Sequence, residues 1–301
     1  MKNLLITGAW GNARDHFDHI SGLGFKIFFL QNEKDALPLP AEEIHGVICN
    51  GLFLYHDARE FTNLEFVQLT SAGFDRVPIE EMNKRGIQVF NARGVYSIPM
   101  AEYALCGVLE LYKQSRFFYC NQKRGVWEKN REMLELFGKR VLIVGAGNVG
   151  TECAKRFKAF GARVLGIDLF PRDDESYEVI SPLGELRTEL LDADVVVLTL
   201  PLTEETRHLF DKSAFDSMKE RSVLVNIARG AVVDTAALVD ALSSGKLAGA
   251  VLDVFEEEPL DSSSPIWAME NVILTPHNSF VGDGNALRLA SLINHNLENL
   301  K

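Results

Sequence analysis

The sequence predicts an α/β protein with two domains, each built on a doubly wound parallel sheet. The first observation is length, because 301 residues correspond to about two domains of roughly 150 residues each. The second is that short apolar runs alternate with helical stretches in two separate series. The third is composition, since 47% hydrophobic and 24% charged residues are typical of a folded globular chain.

The charge and the apolar runs exclude several classes of function. The net charge is -11, and no basic run interrupts the acidic balance, so we expect no nucleic-acid partner. No apolar run approaches the roughly 20 residues of a membrane span, and the first run is shorter than the roughly 7 to 15 apolar residues of a signal peptide. We therefore expect a cytoplasmic protein without a membrane partner.

The cysteines indicate neither disulfides nor a metal site. Their spacing is wide and irregular, with no CxxC pattern and no Cys/His cluster, at Cys49, Cys106, Cys120 and Cys153. Disulfides persist mainly in oxidising compartments, so the sequence predicts buried, reduced thiols and no bound metal.

The first hundred residues contain five strand-like runs, at 3–7, 26–30, 46–49, 66–70 and 87–90. Strands that alternate with helical stretches form parallel sheets. A long helix is predicted next, from about Pro99 to Cys120, because apolar residues recur there at three- and four-residue spacing and proline suits a first helical turn. We expect this helix to link the two domains.

A second series holds six strand-like runs, at 141–144, 163–167, 195–200, 223–226, 248–252 and 272–274. Six strands with intervening helices match a full doubly wound sheet. After Pro276, apolar residues from Leu287 to Leu300 form one face of an amphipathic helix, which we expect to return to the first domain. The sequence thus predicts a continuous domain at 98–276, inserted into a domain made of 1–97 and 277–301.

Two glycine-rich turns follow strands, and the first does not satisfy the dinucleotide pattern. The stretch from Gly8 to Ala13 lacks the glycine that lets a helix pack closely on its strand. The next strand ends at Leu30 and Gln31, which offer no carboxylate for a ribose. We interpret this stretch as an ordinary strand-to-helix turn.

The second turn lies between a strand and a helix, as a dinucleotide site requires. Its candidate cofactor residues are Gly145, Gly147, Asn148, Val149 and Gly150. Gly145 permits the tight turn, Gly147 lets the backbone approach a pyrophosphate, and Gly150 permits close helix packing. Backbone amides near the second and third of these glycines would face the phosphates at the helix N-terminus.

An acidic residue follows at the distance expected for ribose recognition. Asp168 lies 18 residues beyond Gly150, at the end of the next strand. Its carboxylate would accept hydrogen bonds from ribose hydroxyls and repel a 2′-phosphate, which favours NAD over NADP. Because Arg172 lies nearby, NADP stays open as the less favoured cofactor. The alternative to any cofactor site is a glycine turn with a purely structural role.

An arginine, a glutamate and a histidine follow three further strands of the same predicted sheet. Ligands of open α/β sheets bind at the carboxyl ends of the strands, so Arg229, the run Glu256 to Glu258 and His277 are expected to converge. Hydride transfer to a carbonyl needs a proton donor, for which histidine is suited near neutral pH. A carboxylate would orient that histidine, and an arginine would bind a substrate carboxylate or carbonyl. Considered singly, each is more readily explained without a function: Arg229 as a solvated loop charge, the glutamate run as an exposed face and His277 as a loop cap.

At these positions the chain resembles the D-isomer-specific 2-hydroxyacid dehydrogenases, a family that includes D-lactate, D-glycerate and D-3-phosphoglycerate dehydrogenases. The resemblance covers nearly the whole chain and is carried by residues 136–139, 200–206, 225–234, 249–259 and 275–277. It implies two Rossmann-like or flavodoxin-like domains, the NAD-binding one inserted in a discontinuous substrate domain. It also implies NAD-dependent interconversion of a 2-oxo acid and a D-2-hydroxy acid.

The resemblance assigns roles to individual residues. It implies that His277 is the general acid and base, that Glu258 rather than Glu256 or Glu257 is its partner, and that Arg229 binds the substrate. Further cofactor contacts are implied at Thr199, Leu200, Pro201, Thr206, Ile227, Ala228, Arg229, Asp253 and His277, with Asp253 at the nicotinamide carboxamide. Substrate contacts are implied at Ser71, Ala72, Gly73 and Tyr96, where main-chain amides of the first three receive the substrate carboxylate. Tyr96 is equally well a core aromatic.

Several alternatives stay open. The family usually continues after the histidine with a small residue and glycine, whereas this chain has Asn278, Ser279 and Phe280, so the size of the substrate is undecided. An NAD(H)-sensing corepressor of the same fold is the alternative from another class, and the lack of a basic interaction tail favours the enzyme. Formate dehydrogenases fit less well, since they carry glutamine where Glu258 stands. A homodimer, and the absence of an added regulatory domain after residue 301, are also expected.

Overall fold

The computed structural model describes residues 1–300, and Lys301, which the predicted first domain includes, lies outside the described residues. The chain forms two compact units. The first unit contains Met1–Tyr96 and the chain from Gly282 onward, and the second unit contains Ser97–Val281. Each unit is a parallel sheet covered by helices on both faces, so the predicted α/β class is confirmed.

The strands follow the two predicted series. The first unit contains β1 (Lys2–Thr7), β2 (Phe25–Leu30), β3 (Gly46–Cys49), β4 (Phe66–Leu69) and β5 (Gln88–Phe90). The second unit contains β6 (Arg140–Val144), β7 (Arg163–Asp168), β8 (Val179–Pro182), β9 (Val195–Leu198), β10 (Ser222–Asn226), β11 (Leu247–Leu252) and β12 (Val272–Leu274).

Nine α-helices connect and cover these strands in the described chain. They are α1 (Phe17–Gly22), α2 (Ile79–Lys84), α3 (Ser97–Tyr112), α4 (Ser115–Arg124), α5 (Asn148–Ala159), α6 (Leu186–Leu190), α7 (Lys212–Ser217), α8 (Thr235–Ser243) and α9 (Asn285–Glu298). Short 3-10 turns lie at Ala13–His16, Ala41–Glu43, Leu52–Leu54, Ala58–Glu60, Leu183–Glu185, Gly230–Val232 and Pro265–Ala268.

The first sheet has the strand order β2-β1-β3-β4-β5, the flavodoxin-like order, and every pair is parallel. All residues of β3 and β4 are buried, because helices and loops cover both faces of a parallel sheet. On one face, Leu289, Ile293 and Leu297 of α9 pack with Leu4 and Ile6 of β1. The last helix of the chain therefore completes the core of the first unit.

The second sheet has the order β12-β11-β10-β9-β6-β7-β8, again with only parallel pairs. The strand order reverses between β6 and β9, and ligands bind open α/β sheets at such a switch point. Helices α3 and α5 cover one face, while α6, α7 and α8 cover the other. The carboxyl ends of β6, β9, β10, β11 and β12 thus lie along one edge of this sheet.

The structure corrects two predicted elements. The second sheet has a seventh strand, β8, which the sequence analysis missed because it is short, partly exposed and ends in Pro182 at the sheet edge, where a missing N–H is tolerated. The single long helix is wrong as well. Gln114 adopts a left-handed φ of 54°, and its side-chain amide donates to the carbonyl of Leu111 at 3.1 Å, which separates α3 from α4.

The cysteines differ in part from the prediction. All four are free, and burial raises the pKa of Cys153 to about 12. Cys49 is also buried, but Cys106 and Cys120 are exposed, so the prediction of burial is wrong for these two.

Residues 1–300 contain no helix long and apolar enough to span a bilayer. The same part of the chain has no group of three acidic, histidine or cysteine side chains arranged for a metal.

Candidate active site

The glycine turn between β6 and α5 has the geometry of a phosphate-binding turn. Gly145 has φ of 101°, and a Cβ atom there would lie 2.7 Å from the backbone nitrogen of Leu200. A Cβ atom at Gly150 would overlap the carbonyl oxygen of Gly145. At Gly147, by contrast, a Cβ atom would meet no described protein atom within 4 Å. The first and last glycines are therefore needed for packing, while the middle one borders open space.

The N-terminus of α5 supplies donors beside that open space. Gly147 caps the helix, and no side chain in the described chain caps it. Asn148 is exposed and Val149 is half-buried in the first turn. The first amides of a helix lack intrahelical partners and attract anions. The residues present therefore fit the pyrophosphate of a dinucleotide.

Asp168 is anchored at the end of β7 by the same turn. One carboxylate oxygen accepts from the backbone N–H of Ala146 at 2.8 Å, and the other accepts from Phe170 at 2.9 Å. The guanidinium of Arg172 donates to the carbonyl of Ala146. These contacts hold the acidic side chain beside the glycine turn, where ribose recognition requires it.

The segments after β9 and β10 border the switch point. Thr199 donates its hydroxyl to the carbonyl of Gly145 at 2.6 Å, and Leu200 and Pro201 follow it. The hydroxyl of Thr206 donates to the carbonyl of Pro201 at 2.8 Å and is buried within this turn. Ile227 and Ala228 after β10 are buried as well. Their roles at a cofactor stay predictions.

His277 and Glu258 form a direct pair. Nδ1 of the imidazole lies 2.8 Å from one carboxylate oxygen of Glu258. The other carboxylate oxygen accepts from the backbone N–H of Phe255 at 3.0 Å, which orients the glutamate. The side chains are 44% and 36% exposed, respectively, so both reach solvent. With Nδ1 facing the carboxylate, Nε2 is the imidazole nitrogen that faces away from Glu258.

Arg229 lies on a tightly held turn after β10. The buried Asn226 accepts from the N–H of Ala228 at 3.1 Å and donates to the carbonyl of Arg229 at 3.2 Å. A Cβ atom at Gly230 would overlap the carbonyl of Phe255. Gly230 therefore allows the arginine turn to pack directly on the loop that carries Glu258.

Asp253 and Phe280 flank the histidine within the second unit. The carboxylate of Asp253 is 1% exposed and accepts from the backbone N–H groups of Asn278 and Ser279 at 2.7 and 3.0 Å. The ring of Phe280 stands edge-on to the imidazole of His277, with 6.2 Å between ring centres. The unusual segment after the histidine thus contacts the histidine itself.

The remaining predicted substrate residues lie in the first unit. Ser71 Oγ donates to the carbonyl of Gly73 at 3.0 Å, and the side chain of Asn91 donates to the carbonyl of Ala72 at 2.6 Å. Across residues 1–300, the structure gives the three N–H groups of Ser71, Ala72 and Gly73 no protein acceptor. The half-buried Tyr96 donates its hydroxyl to the carbonyl of Thr70. The loop thus has its carbonyls engaged and its amides available to an anion.

The first glycine-rich turn differs from the sequence interpretation in one respect. A carboxylate does reach it, because Glu33 accepts from the hydroxyl of Thr7 at 2.8 Å and from the N–H groups of Asn50 and Gly51 at 2.6 and 2.7 Å. These donors lie at the end of β1 and just after β3, at the switch point of the first sheet. The protein's own carboxylate occupies the donors that an anionic ligand would use.

Sequence reasoning missed Asn226 and Glu33. A polar residue that ends the apolar run of β10 was a usable signal for Asn226, because a buried amide needs local partners. No local pattern indicates Glu33, since its partners lie 17 to 26 residues away.

Comparison with known proteins identifies the family. A family model described as the NAD-binding domain of D-isomer-specific 2-hydroxyacid dehydrogenases matches residues 105–279. The chain belongs to the D-isomer-specific 2-hydroxyacid dehydrogenase family. The matched residues include the glycine turn, Asp168, Arg229, Glu258 and His277.

Individual relatives support the same family assignment. A glyoxylate reductase of Thermofilum pendens is 38% identical over 243 residues, which cover 78% of this chain and 71% of that protein. A D-3-phosphoglycerate dehydrogenase of Archaeoglobus fulgidus is 38% identical over 216 residues, which cover 71% of this chain but only 41% of that longer protein. A solved structure of a D-isomer-specific 2-hydroxyacid dehydrogenase family protein from Aeromonas salmonicida subsp. salmonicida A449 superposes with a TM-score of 0.87. It shares 32% identity, and the match covers 98% of this chain and 94% of that one.

Proposed function

We propose that this family member is an NAD-dependent oxidoreductase that interconverts a 2-oxo acid and a D-2-hydroxy acid. The hydrogen-bonded pair of His277 and Glu258 carries the proposal. The pair follows strands of the sheet whose switch point bears the glycine turn, and the arginine turn packs on the glutamate's loop. A proton donor and an anion-binding group are the two protein groups that reduction of a 2-oxo acid requires.

His277 acts as the general acid in the proposed mechanism. A dinucleotide held by its pyrophosphate at the glycine turn would supply the hydride that the carbonyl carbon accepts. His277 donates a proton from Nε2 to the carbonyl oxygen, while Glu258 at Nδ1 fixes the orientation of the ring. In the oxidative direction the same nitrogen accepts the hydroxyl proton, the hydrogen on the hydroxyl-bearing carbon would leave as a hydride to the oxidised cofactor, and the product is the 2-oxo acid.

Two groups bind the negative charge of the substrate in this proposal. The guanidinium of Arg229 makes planar, charge-assisted hydrogen bonds to the carboxylate or the carbonyl. The amides of Ser71, Ala72 and Gly73 supply uncharged donors to the carboxylate. Each group by itself is a local attraction for an anion in a protein whose net charge is -11.

A panel of 2-oxo acids, assayed with NADH and with NADPH, tests the function. We expect turnover of at least one of glyoxylate, pyruvate, hydroxypyruvate or a bulkier 2-oxo acid, faster with NADH. The glyoxylate reductase and phosphoglycerate dehydrogenase relatives make small, polar 2-oxo acids the first choice. The edge-on Phe280 bounds the space beside His277, so bulky side chains should react more slowly. No turnover, together with NADH-dependent association with another protein, would instead favour the corepressor.

Asp168→Asn should reduce the preference for NADH. The amide keeps the shape but loses the negative charge that repels a 2′-phosphate. We expect the lost repulsion to be worth about 1.4 kcal/mol or more, and 1.4 kcal/mol corresponds to a factor of ten. The ratio of kcat/KM for NADH to kcat/KM for NADPH should therefore fall by about tenfold or more. Asp216→Asn, which alters an exposed carboxylate paired with Lys212 on α7, should leave the ratio within twofold. An unchanged ratio in Asp168→Asn would contradict the NAD assignment.

The surface around α4 fits the homodimer expected from the family. Large apolar side chains are exposed there, at Phe118, Tyr119, Val126, Trp127, Met133 and Leu134, and Trp127 is 97% exposed. Exposed apolar patches of this kind mark protein interfaces, and a second copy of this chain is the proposed occupant.

The four free cysteines fit the cytoplasmic location that we also propose.

Trp127→Arg should shift the protein from dimer to monomer, because it places a charge in a desolvated contact. Sedimentation velocity at micromolar concentration measures the change. Leu287→Arg is the matched control, since Leu287 is 78% exposed on α9 outside this patch. If both variants sediment as the wild type does, Trp127 lies outside any interface.

A further inference from the structure

The Asp253 carboxylate collects hydrogen bonds from both sides of His277. Its Oδ1 atom accepts from the hydroxyl of Thr275 at 2.6 Å and from the N–H of Asn278 at 2.7 Å. Both carboxylate oxygens lie 3.0 Å from the N–H of Ser279. The side chain is 1% exposed, and a buried carboxylate with several donors holds those donors firmly. Residues before and after the histidine are thus tied to one buried group.

The hydrogen-bond chain continues to helix α3. Thr275 Oγ1 lies 2.7 Å from the hydroxyl oxygen of Tyr103. A threonine hydroxyl has one proton, and the Oδ1 atom of Asp253 already acts as an acceptor toward backbone N–H groups, so the Thr275 proton goes to Asp253. The Tyr103 hydroxyl must then donate to Thr275. Burial raises the pKa of Tyr103 to about 12, which keeps that hydroxyl protonated at neutral pH.

The backbone of His277 has an unfavourable conformation, which the hydrogen bonds of Asp253 hold in place. His277 has φ of 52°, in the left-handed region that is unfavourable for a residue with a side chain. Its N–H donates to the carbonyl of Asp253 at 2.7 Å, so the main chain and the side chain of Asp253 both hold the loop. This backbone conformation sets the direction in which the His277 side chain leaves the main chain. It therefore also sets the position of the Nε2 atom.

We propose that Tyr103 is a positioning residue for His277, acting through Thr275 and Asp253. The chain runs from the Tyr103 hydroxyl to the Thr275 hydroxyl, to the Asp253 carboxylate and to the amides after His277. Tyr103 touches neither the imidazole nor the reacting atoms in this assignment. The role of His277 as proton donor rests on the proposed function, whereas the hydrogen-bond chain does not.

Tyr103→Phe tests the chain, with Tyr112→Phe as the matched control on the same helix. Loss of one hydrogen bond should lower kcat about fivefold to tenfold, with the dissociation constant of NADH unchanged within twofold. Thr275→Val should lower kcat at least as much, because it removes the hydroxyl, and Thr275→Ser should restore most of the rate. The double variant Tyr103→Phe/Thr275→Val should be no slower than Thr275→Val, since the tyrosine acts only through the threonine.

A second measurement does not depend on turnover. The Cε1 resonance of His277 in ¹³C-labelled protein, assigned with His277→Gln, should move in Tyr103→Phe and Thr275→Val but not in Tyr112→Phe or Thr275→Ser. An unmoved resonance in Tyr103→Phe, or rate losses that add in the double variant, would overturn the positioning role. If the wild type reduces no 2-oxo acid, the proposed function fails, while the resonance still decides whether the chain positions the histidine.

Discussion

His277→Ala lowers kcat for 2-oxo acid reduction by about 10²- to 10⁴-fold, the range expected when a positioned general acid is removed. The reason is that negative charge develops on the carbonyl oxygen during hydride transfer, and Nε2 of this histidine is the proposed proton source. Stopped-flow measurement of NADH oxidation gives the rate of the chemical step directly. The dissociation constant of NADH, measured by fluorescence, should change little, because the glycine turn is untouched.

His295→Ala is the control for this experiment. His295 is exposed on α9 in the first unit, so its loss should leave the rate within twofold of the wild type. If His277→Ala keeps wild-type turnover, the proton donor has been assigned to the wrong residue.

Arg229→Gln produces the second large effect. Glutamine is neutral and shorter and cannot make the charge-assisted, bidentate contact to a carboxylate, which we expect to cost about 2 to 3 kcal/mol. That cost corresponds to a loss of kcat/KM for the 2-oxo acid of roughly 30- to 200-fold. Steady-state kinetics at saturating NADH separates the rise in KM from the fall in kcat.

Arg229→Lys and Arg207→Gln make this result specific. Lysine keeps the charge but not the planar fork, so Arg229→Lys should recover only part of the loss. Arg207 is exposed after the turn that contains Thr206, and its replacement should leave kcat/KM unchanged. A KM for the 2-oxo acid that stays at the wild-type value in Arg229→Gln would remove Arg229 from the substrate site.

Local sequence patterns were sufficient for much of the fold. The alternation of apolar runs and helical stretches placed eleven of the twelve strands close to their observed bounds, because buried parallel strands are continuous apolar runs. The pattern failed for β8, which lies at a sheet edge and needs no such run. It also failed at Gln114, where a left-handed residue without any glycine or proline signal ends α3.

The candidate site divides in the same way. The glycine turn was predictable because a side chain at Gly145 or Gly150 would overlap nearby backbone atoms. Both positions therefore require glycine, at a fixed spacing in the sequence. The pairing of His277 with Glu258, rather than with another glutamate of the same run, was supplied by family resemblance and not by spacing. The contacts of Asp253 with Thr275 and Asn278 were not visible in the sequence at all.

The sequence by itself determined the α/β class, the glycine turn between β6 and α5 and the residue types available for chemistry. Those features arise from periodicity and from glycine spacing, which are local properties. Only the tertiary structure decided where two carboxylates find their donors: the half-buried Glu33 in the first unit at Thr7, Asn50 and Gly51, and the buried Asp253 in the second unit around His277. These hydrogen bonds join residues about 17 to 26 positions apart, and their partners are set by strand order and loop packing, which no local pattern encodes.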